Sequence, residues 1–175
     1  MYRESIERGN ILMIDEALQL LYNTLAGYPA AYANIIGNSE IHNLQGQVLF
    51  YPYLRGTLLV VAVDGIPFEG FYGFHIHERG PCIPEEGYVG FFDVGLHYNP
   101  TDQPHPYHAG DLPVLMANYA HAFMIVYSDR FVPEDVIDRT MIIHSWPDDY
   151  ISQPTGNSGD QIGCGEIVPY IPPTQ

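Results

Sequence analysis

The stretch Gly73-Phe74-His75-Ile76-His77-Glu78 decides how this chain is interpreted. Its alternation predicts a β-strand, and side chains two residues apart on a strand project from the same face. His75 and His77 are therefore expected to point the same way, so that both imidazoles can reach one metal ion. An isolated His-x-His pair also occurs as two surface histidines, and the rest of the chain has to separate these interpretations.

Further candidate ligands follow along the chain. The run from His105 to Asp111 has the pattern His-x-x-His-x-x-Asp, with Gly and Pro residues that would let it fold around a small cation; alone, it could equally be a polar turn. Seven candidate ligands are too many for one tetrahedral ion, and imidazole suits both copper and zinc. The pattern therefore predicts two metal sites formed by His75, His77, His97, His105, His108, Asp111 and His144. His42 and His121 match neither site; His42 is expected to be solvated, and His121, in a strand pattern, to be a surface residue or a core residue with its hydrogen bonds satisfied.

The regular elements around these ligands are mostly short strands. Apolar residues recur every three or four positions over residues 6–25, including Ile11, which predicts a helix. Residues 28–38 look like an extended Gly-Pro-Ala linker. Period-two or β-rich runs predict strands over residues 44–52, 57–63, 72–78, 120–127, 140–144 and 162–168. With long loops over residues 80–111 and 145–160, this pattern is typical of an antiparallel β-sandwich or barrel.

Charge and length limit the function classes. The 175 residues carry a net charge of −15, with six arginines and no lysine, which argues against binding to nucleic acid or to an anionic membrane surface. No apolar run approaches the ~20 residues of a membrane-spanning helix. The charged start, with Arg3 and Glu4, does not resemble a secretory signal, so a cytoplasmic location is expected.

Over residues 44–168 the chain resembles the Cu/Zn superoxide dismutase family. The resemblance rests on motifs in the family's order: residues 73–78, His97-Tyr98-Asn99-Pro100, residues 108–113, residues 139–144, and Gly156-Asn157-Ser158-Gly159 followed by Ile162-Gly163-Cys164-Gly165. It implies an all-β fold, a Greek-key antiparallel sandwich or flattened eight-stranded barrel with long metal-binding loops. An N-terminal helix and linker (residues 1–40) would precede the barrel domain (residues 41–175).

The resemblance also implies roles for individual residues. Copper would be held by His75, His77, His97 and His144, and zinc by His97, His105, His108 and Asp111, with His97 as the bridging and catalytic imidazolate. Asp148 resembles the carboxylate that holds one histidine of each metal site, with Asp149 as the neighbouring alternative. Cys82 and Cys164 match the family's intrachain disulfide, whereas two cysteines in a cytoplasmic chain would otherwise be reduced thiols.

The implied activity converts two superoxide ions and two protons to oxygen and hydrogen peroxide, by a protein that could be a homodimer. The sequence departs from the family where an anion-guiding arginine is expected, because Gln161 stands there without a charge. The alternative is therefore a dismutase-like metal-binding protein with little or no turnover; a purely structural module is a third interpretation. Arg79 could face the cavity or the surface. The zinc loop is short, and residues between Cys82 and His97 form an insertion.

Overall fold

The computed structural model describes residues 2–84 and 90–173, with side-chain surroundings from residue 13 onward. Residues 85–89, within the insertion between Cys82 and His97, lie outside this description, as does the side chain of Ile11. Within the described part the chain forms an α-helix, nine strands and a 3-10 turn. Their bounds are α1 Tyr2–Leu25, β1 Ala31–Gly37, β2 Gln45–Tyr53, β3 Gly56–Asp64, β4 Gly70–Tyr72, β5 Phe74–His77, β6 Leu115–Asn118, β7 His121–Ser128, η1 Pro133–Val136, β8 Thr140–His144 and β9 Gln161–Pro169.

The strands form one antiparallel sheet that is nearly closed into a barrel. Its order is β4-β6-β7-β3-β2-β1-β9-β8-β5. The two edge strands, β4 and β5, are consecutive in the chain and are separated only by Gly73. The N–H of Gly73 donates to the carbonyl of Trp146, and its own carbonyl accepts from the N–H of His144, each over 2.8 Å. The all-β barrel expected from the sequence is thus confirmed, with nine strand segments where eight were expected.

Alternating side chains fill the inside of the barrel. On β2, Val48 and Phe50 are fully buried, while Gln45 and Gln47 are exposed. The long pairing of β2 with β3 and of β3 with β7 keeps this alternation in register over eight or nine residues. The interior is therefore occupied by aliphatic and aromatic side chains, and the histidines must lie elsewhere.

Residues 28–38 were expected to form a linker, and this expectation is wrong. Ala31–Gly37 is strand β1, which pairs with β2 on one side and β9 on the other. Its inward side chains, Ala31, Ala33 and Ile35, are buried. The sheet therefore begins before the boundary at residue 41 that the sequence suggested. The short strand β6 was also not anticipated.

The long loop after β5 is attached to the barrel wall by a disulfide. Cys82 and Cys164 are bonded, with their Cα atoms 5.7 Å apart, which confirms the disulfide and excludes the reduced-thiol alternative. Beside it, Phe91 and Val94 pack with Ile142 of β8 in a small cluster outside the main core. None of the described helices is long and apolar enough to cross a membrane. The cytoplasmic location stays a prediction.

Candidate metal centre

Strand β5 and the loops that fold back on it bring the candidate ligands together. His75 and His77 lie on β5, which pairs with β8, and His144 ends β8 at a register irregularity. Two isolated bridges attach the following loop to β5: His77 pairs with His97, and His75 pairs with Asp111. The site is therefore held between the outside of the barrel wall and the loop.

The seven side chains predicted as ligands form two overlapping groups. In each group the candidate donor atoms lie within 4.8 Å of one another, and every member is buried. The first ligand group is His75, His77, His97 and His144; the second ligand group is His97, His105, His108 and Asp111. His97 belongs to both, because its ring lies between the two sets, with its centroid 3.9 Å from that of His75 and 5.6 Å from that of His108.

Hydrogen bonds to the backbone orient two rings of the first ligand group. Nδ1 of His77 lies 2.9 Å from the carbonyl of Gly95, and Nδ1 of His144 lies 3.2 Å from the carbonyl of Gly159. Because a carbonyl only accepts, each Nδ1 carries the proton and each Nε2 the lone pair when the ring is neutral. The two Nε2 atoms face each other over 3.3 Å. Facing lone pairs repel unless a proton or a cation lies between them.

The second ligand group is arranged around the carboxylate of Asp111. Nδ1 of His97 lies 2.7 Å from Oδ1, and Nδ1 of both His105 and His108 lies 3.2 Å from Oδ2. The carboxylate also accepts the N–H of His108 over 2.9 Å, which closes the loop turn. Three Nδ1 atoms and one carboxylate thus converge, and this donor set suits a tetrahedral zinc ion.

Asp148 connects the two ligand groups by hydrogen bonds to one histidine of each. Its Oδ2 accepts from Nε2 of His75 over 2.7 Å, and its Oδ1 accepts from Nε2 of His105 over 2.9 Å. A carboxylate in this position fixes the tautomer and the ring orientation of a metal-binding histidine. Asp149 instead caps the turn at Ser152 on the surface.

The remaining ring nitrogens fit bound metal. Nδ1 of His75, Nε2 of His97 and Nδ1 of His105 are buried and have no hydrogen-bond partner. For His105, the nearby Asp111 oxygen lies at 3.2 Å without the geometry of a hydrogen bond. Burying an unpartnered polar atom is unfavourable, whereas coordination of a cation would satisfy each of these nitrogens. Nδ1 of His75 and Nε2 of His97 would bind an ion in the first ligand group, and Nδ1 of His105 would bind one in the second.

Burial sets the protonation states that metal binding requires. It lowers the pKa of His75 to about 4 and, with neighbouring histidines, that of His144 to about 3 and that of His77 well below its ordinary value. Burial opposes ionisation of Asp148, but hydrogen bonds from His75, from the N–H of Tyr150 and from His105 outweigh it and lower its pKa to about 2. At neutral pH the three imidazoles are therefore neutral and the carboxylate is charged.

The other predicted residues lie at the margin or on the surface. Gln161, at the start of β9, accepts the N–H of Phe91 on its Oε1 over 3.2 Å. Arg79 is at the surface, where it pairs with Asp93 over 2.8 Å. His42 and His121 are exposed, and His121 pairs with Asp64.

Two contributors to the site were not anticipated from the sequence. Arg130 donates to carbonyls of the loop that carries His105, His108 and Asp111. Gly156 has φ +71°, and a Cβ there would lie 2.0 Å from Oδ1 of Asp148. A glycine in a loop is a sequence signal for a backbone with positive φ. The contact of Arg130 joins two separate loops, and the local sequence gives no signal for it.

Comparison with known proteins agrees with this geometry. Residues 44–167 match the family described as copper/zinc superoxide dismutase. Superoxide dismutase [Cu-Zn] 2 of Aquifex aeolicus is 31% identical, over 74% of this chain and 85% of that protein. The extracellular superoxide dismutase [Cu-Zn] of Drosophila melanogaster is 33% identical, over 78% and 83%. The structure of a double mutant of a SOD-like protein from Bacillus subtilis superposes with a TM-score of 0.67 at 25% identity, over 78% of this chain and 96% of that one.

The family match spans well over half of the chain and includes every residue of both ligand groups. The disulfide lies in the same region, as do the strands of the nearly closed antiparallel barrel apart from β1 and the last two residues of β9. The chain therefore belongs to the copper/zinc superoxide dismutase family.

Proposed function

We propose that the protein dismutates superoxide, with copper in the first ligand group and zinc in the second. The observation that carries this proposal is the position of His97. Its Nδ1 faces Asp111 over 2.7 Å, while its buried Nε2 has no hydrogen-bond partner and belongs to the other group. A single imidazolate in this position can bind both ions at once. Two unrelated metal sites would have no reason to share a ligand.

The bound ions would divide the chemistry between them. Copper supplies the one-electron steps by which two superoxide ions and two protons become oxygen and hydrogen peroxide, and zinc supplies a fixed charge and shape. Imidazoles that stay neutral suit both copper oxidation states. The low pKa values of His75 and His144 favour that neutral form across the physiological range.

The residues themselves position the reacting groups and handle protons. Asp148 holds His75 and His105 in fixed orientations, so that the two groups keep their spacing. We propose that Nε2 of His97, when it is not bound to the ion of the first ligand group, holds a proton and passes it to the product peroxide, while Nδ1 stays on the side of Asp111. Association into a homodimer also stays a proposal.

One observation favours the second candidate function, metal binding with little turnover. Gln161 carries no charge, and its Oε1 is engaged by the N–H of Phe91. Two of the arginines with described side chains, Arg55 and Arg79, are paired with aspartates at the surface. In a chain of charge −15, attraction of an anion into the site would then be weak. The similar structure from Bacillus subtilis is itself named SOD-like.

Measurement of superoxide decay separates the two candidates. Protein loaded with copper and zinc would be assayed by pulse radiolysis, with both metals quantified on the same sample. We expect a rate constant about tenfold or more below the diffusional ceiling of ~10⁸–10⁹ M⁻¹s⁻¹, because Gln161 supplies no charge to attract the anion. A full complement of metal with a rate several orders of magnitude below this expectation would leave a metal-binding relative, and failure to bind either metal would exclude both candidates.

A further inference from the structure

Arg130 makes an unusual set of contacts with the loop of the second ligand group. It lies between β7 and η1, and its Nη1 donates to the carbonyls of Pro106, His108 and Asp111 over 3.1, 2.9 and 3.3 Å. Two of these carbonyls belong to ligand residues, and the third follows the ligand His105. One guanidinium nitrogen thus contacts three of the seven backbone carbonyls between His105 and Asp111.

This loop needs support from outside itself. Three of its seven residues, from His105 to Asp111, are ligands, and the loop itself is not a regular strand or helix. Its last two residues are attached to β5, by the bridge of Asp111 to His75 and by the N–H of Ile76, which donates to the carbonyl of Gly110. The side chains of its three ligands are buried in the site, and the backbone carbonyls that face away from it need donors of their own. A planar guanidinium is well suited to this, because it remains charged and presents several donors in a fixed geometry.

We propose that Arg130 is a positioning residue for zinc, an inference that rests on the proposed function of the second ligand group. It fixes the backbone so that His105, His108 and Asp111 are arranged for the ion before the ion arrives. Preorganisation of this kind raises affinity because less ordering is left to occur on binding. Arg130 itself belongs to neither ligand group, so its role would be exerted through the backbone of the loop.

Electrostatics alone predicts the opposite change in zinc affinity when Arg130 is replaced. A guanidinium close to the site repels a divalent cation, so removal of its charge should strengthen zinc binding if charge were its only effect. The positioning role predicts that removal weakens zinc binding. The direction of the change therefore distinguishes the two explanations.

Arg55 provides a matched control on the same side of the barrel. It pairs with Asp129, the neighbour of Arg130; the side chain of Arg55 is largely exposed and that of Asp129 partly so. The Arg55→Gln substitution removes the same charge from the same region, yet Arg55 makes no described contact with residues 105–111. A general effect of removing a positive charge from this region would appear in both variants.

The test compares Arg130→Gln, Arg130→Lys and Arg55→Gln with the unmodified protein. Zinc affinity would be measured by competition with a chromophoric chelator, and Co²⁺ would serve as a spectroscopic probe of the second ligand group. We expect Arg130→Gln to bind zinc about 10- to 100-fold more weakly, as is typical for a lost supporting hydrogen bond, and to alter the Co²⁺ absorption bands. Arg130→Lys should recover part of the affinity, and Arg55→Gln should match the unmodified protein.

Unchanged or tighter zinc binding by Arg130→Gln would overturn the inference. Equal weakening by Arg55→Gln would also overturn it, because the effect would then not depend on the loop contacts. If the unmodified protein gives no Co²⁺ spectrum of a four-coordinate site, the proposed function of the second ligand group fails as well. Copper affinity, measured on the same variants, should change less than zinc affinity.

Discussion

Among single residues, Gly156 leaves the space that is occupied by the Asp148 carboxylate, which connects the two ligand groups. Asp148 accepts three hydrogen bonds, from His75, from His105 and from the N–H of Tyr150. Gly156 approaches so closely that an added Cβ would lie 2.0 Å from Oδ1 of Asp148 and 2.7 Å from Nε2 of His105. Neither atom can move without breaking a contact of the site, so this position excludes any side chain.

We therefore predict that Gly156→Ala weakens binding of both metals by about 10- to 100-fold, the usual effect of disturbing a carboxylate behind a ligand. Metal content after dialysis against a chelator would measure it. Gly70→Ala is the matched control, because Gly70 also has a positive φ, +146°, but nothing lies within 4 Å of the added Cβ. If both variants lose metal equally, backbone strain rather than the Asp148 contact is responsible.

Substitutions of Gln161 test how far attraction of the superoxide anion limits the rate constant. We predict that Gln161→Arg raises the superoxide rate constant about tenfold or more, equivalent to ~1.4 kcal/mol of activation free energy, because a positive charge attracts the anion. Gln161→Glu keeps an acceptor for the N–H of Phe91 but adds a negative charge, and it should lower the rate. Pulse radiolysis at low and high salt measures both, and the two effects should shrink as salt rises. Equal rates in all three proteins would remove charge at this position from the mechanism.

Residue spacing predicted which side chains gather but not how they are held. Strand alternation places His75 beside His77, and the short run from His105 to Asp111 is local, so both patterns are visible in the sequence. The choice of ring nitrogen depends on the carbonyls of Gly95 and Gly159, which arrive on separate loops. The contacts of Arg130 span 19 to 24 residues and have no local signature.

At the scale of elements, the disulfide fixes the long loop after β5. The bond joins Cys82 to Cys164 of β9 across 82 residues, and the loop also carries Gly95, whose carbonyl orients His77. Closing a loop of this length reduces the conformational freedom of the unfolded chain. The same bond therefore contributes to the stability of the fold and to the geometry of the first ligand group.

We predict that Cys82→Ala lowers the free energy of unfolding of the metal-free protein by about 3–5 kcal/mol and speeds copper release. Urea unfolding and stopped-flow transfer of copper to a chelator would measure the two effects. Ile83→Ala is the control, because this neighbouring side chain is exposed and the disulfide stays intact. A Cys82→Ala protein as stable as this control would contradict the prediction.

The elements that the sequence missed are those with weak local signals. In β1, the inward residues Ala31 and Ala33 are small, and a flanking Gly and Pro gave the segment the composition of a linker. The alternation was nevertheless present, because Tyr32 and Asn34 point outward. Strand β6 has only four residues, too few to show a period. Strands β2, β3 and β7 are longer, with eight or nine residues each, and they were predicted to within a few residues.

At the scale of the whole molecule, closure of the sheet places the site outside the barrel. The single residue Gly73 joins β4 to β5, so the first and last strands of the sheet are held together at the wall that carries the histidines. The interior is filled by aliphatic and aromatic side chains. Buried polar groups are consequently concentrated between this wall and two loops, where bound metal would satisfy them. In the metal-free protein, the free energy of unfolding should therefore depend on the protonation of these groups.

The pKa shifts give the direction of that dependence. The pKa of His75 is lowered to about 4 and that of His144 to about 3, whereas unfolding returns both to near 6.5. Below pH 6.5 the unfolded chain therefore binds more protons than the folded one, and stability present above that pH is lost as the pH falls toward 4. Asp148, with its pKa lowered to about 2, adds a loss only below about pH 4.

We predict that the metal-free protein loses stability steeply between pH 6.5 and 4.5, by up to about 1.4 kcal/mol per pH unit for each buried histidine that must be protonated. Urea unfolding at half-unit intervals of pH would measure the slope. His144→Gln should reduce it, because one group is removed, whereas His42→Gln should leave it unchanged because His42 is exposed and lies outside both ligand groups. A stability that stays level across this range would mean that the buried imidazoles can be protonated without unfolding, and the neutral ligand set on which the proposed chemistry depends would then have to be abandoned.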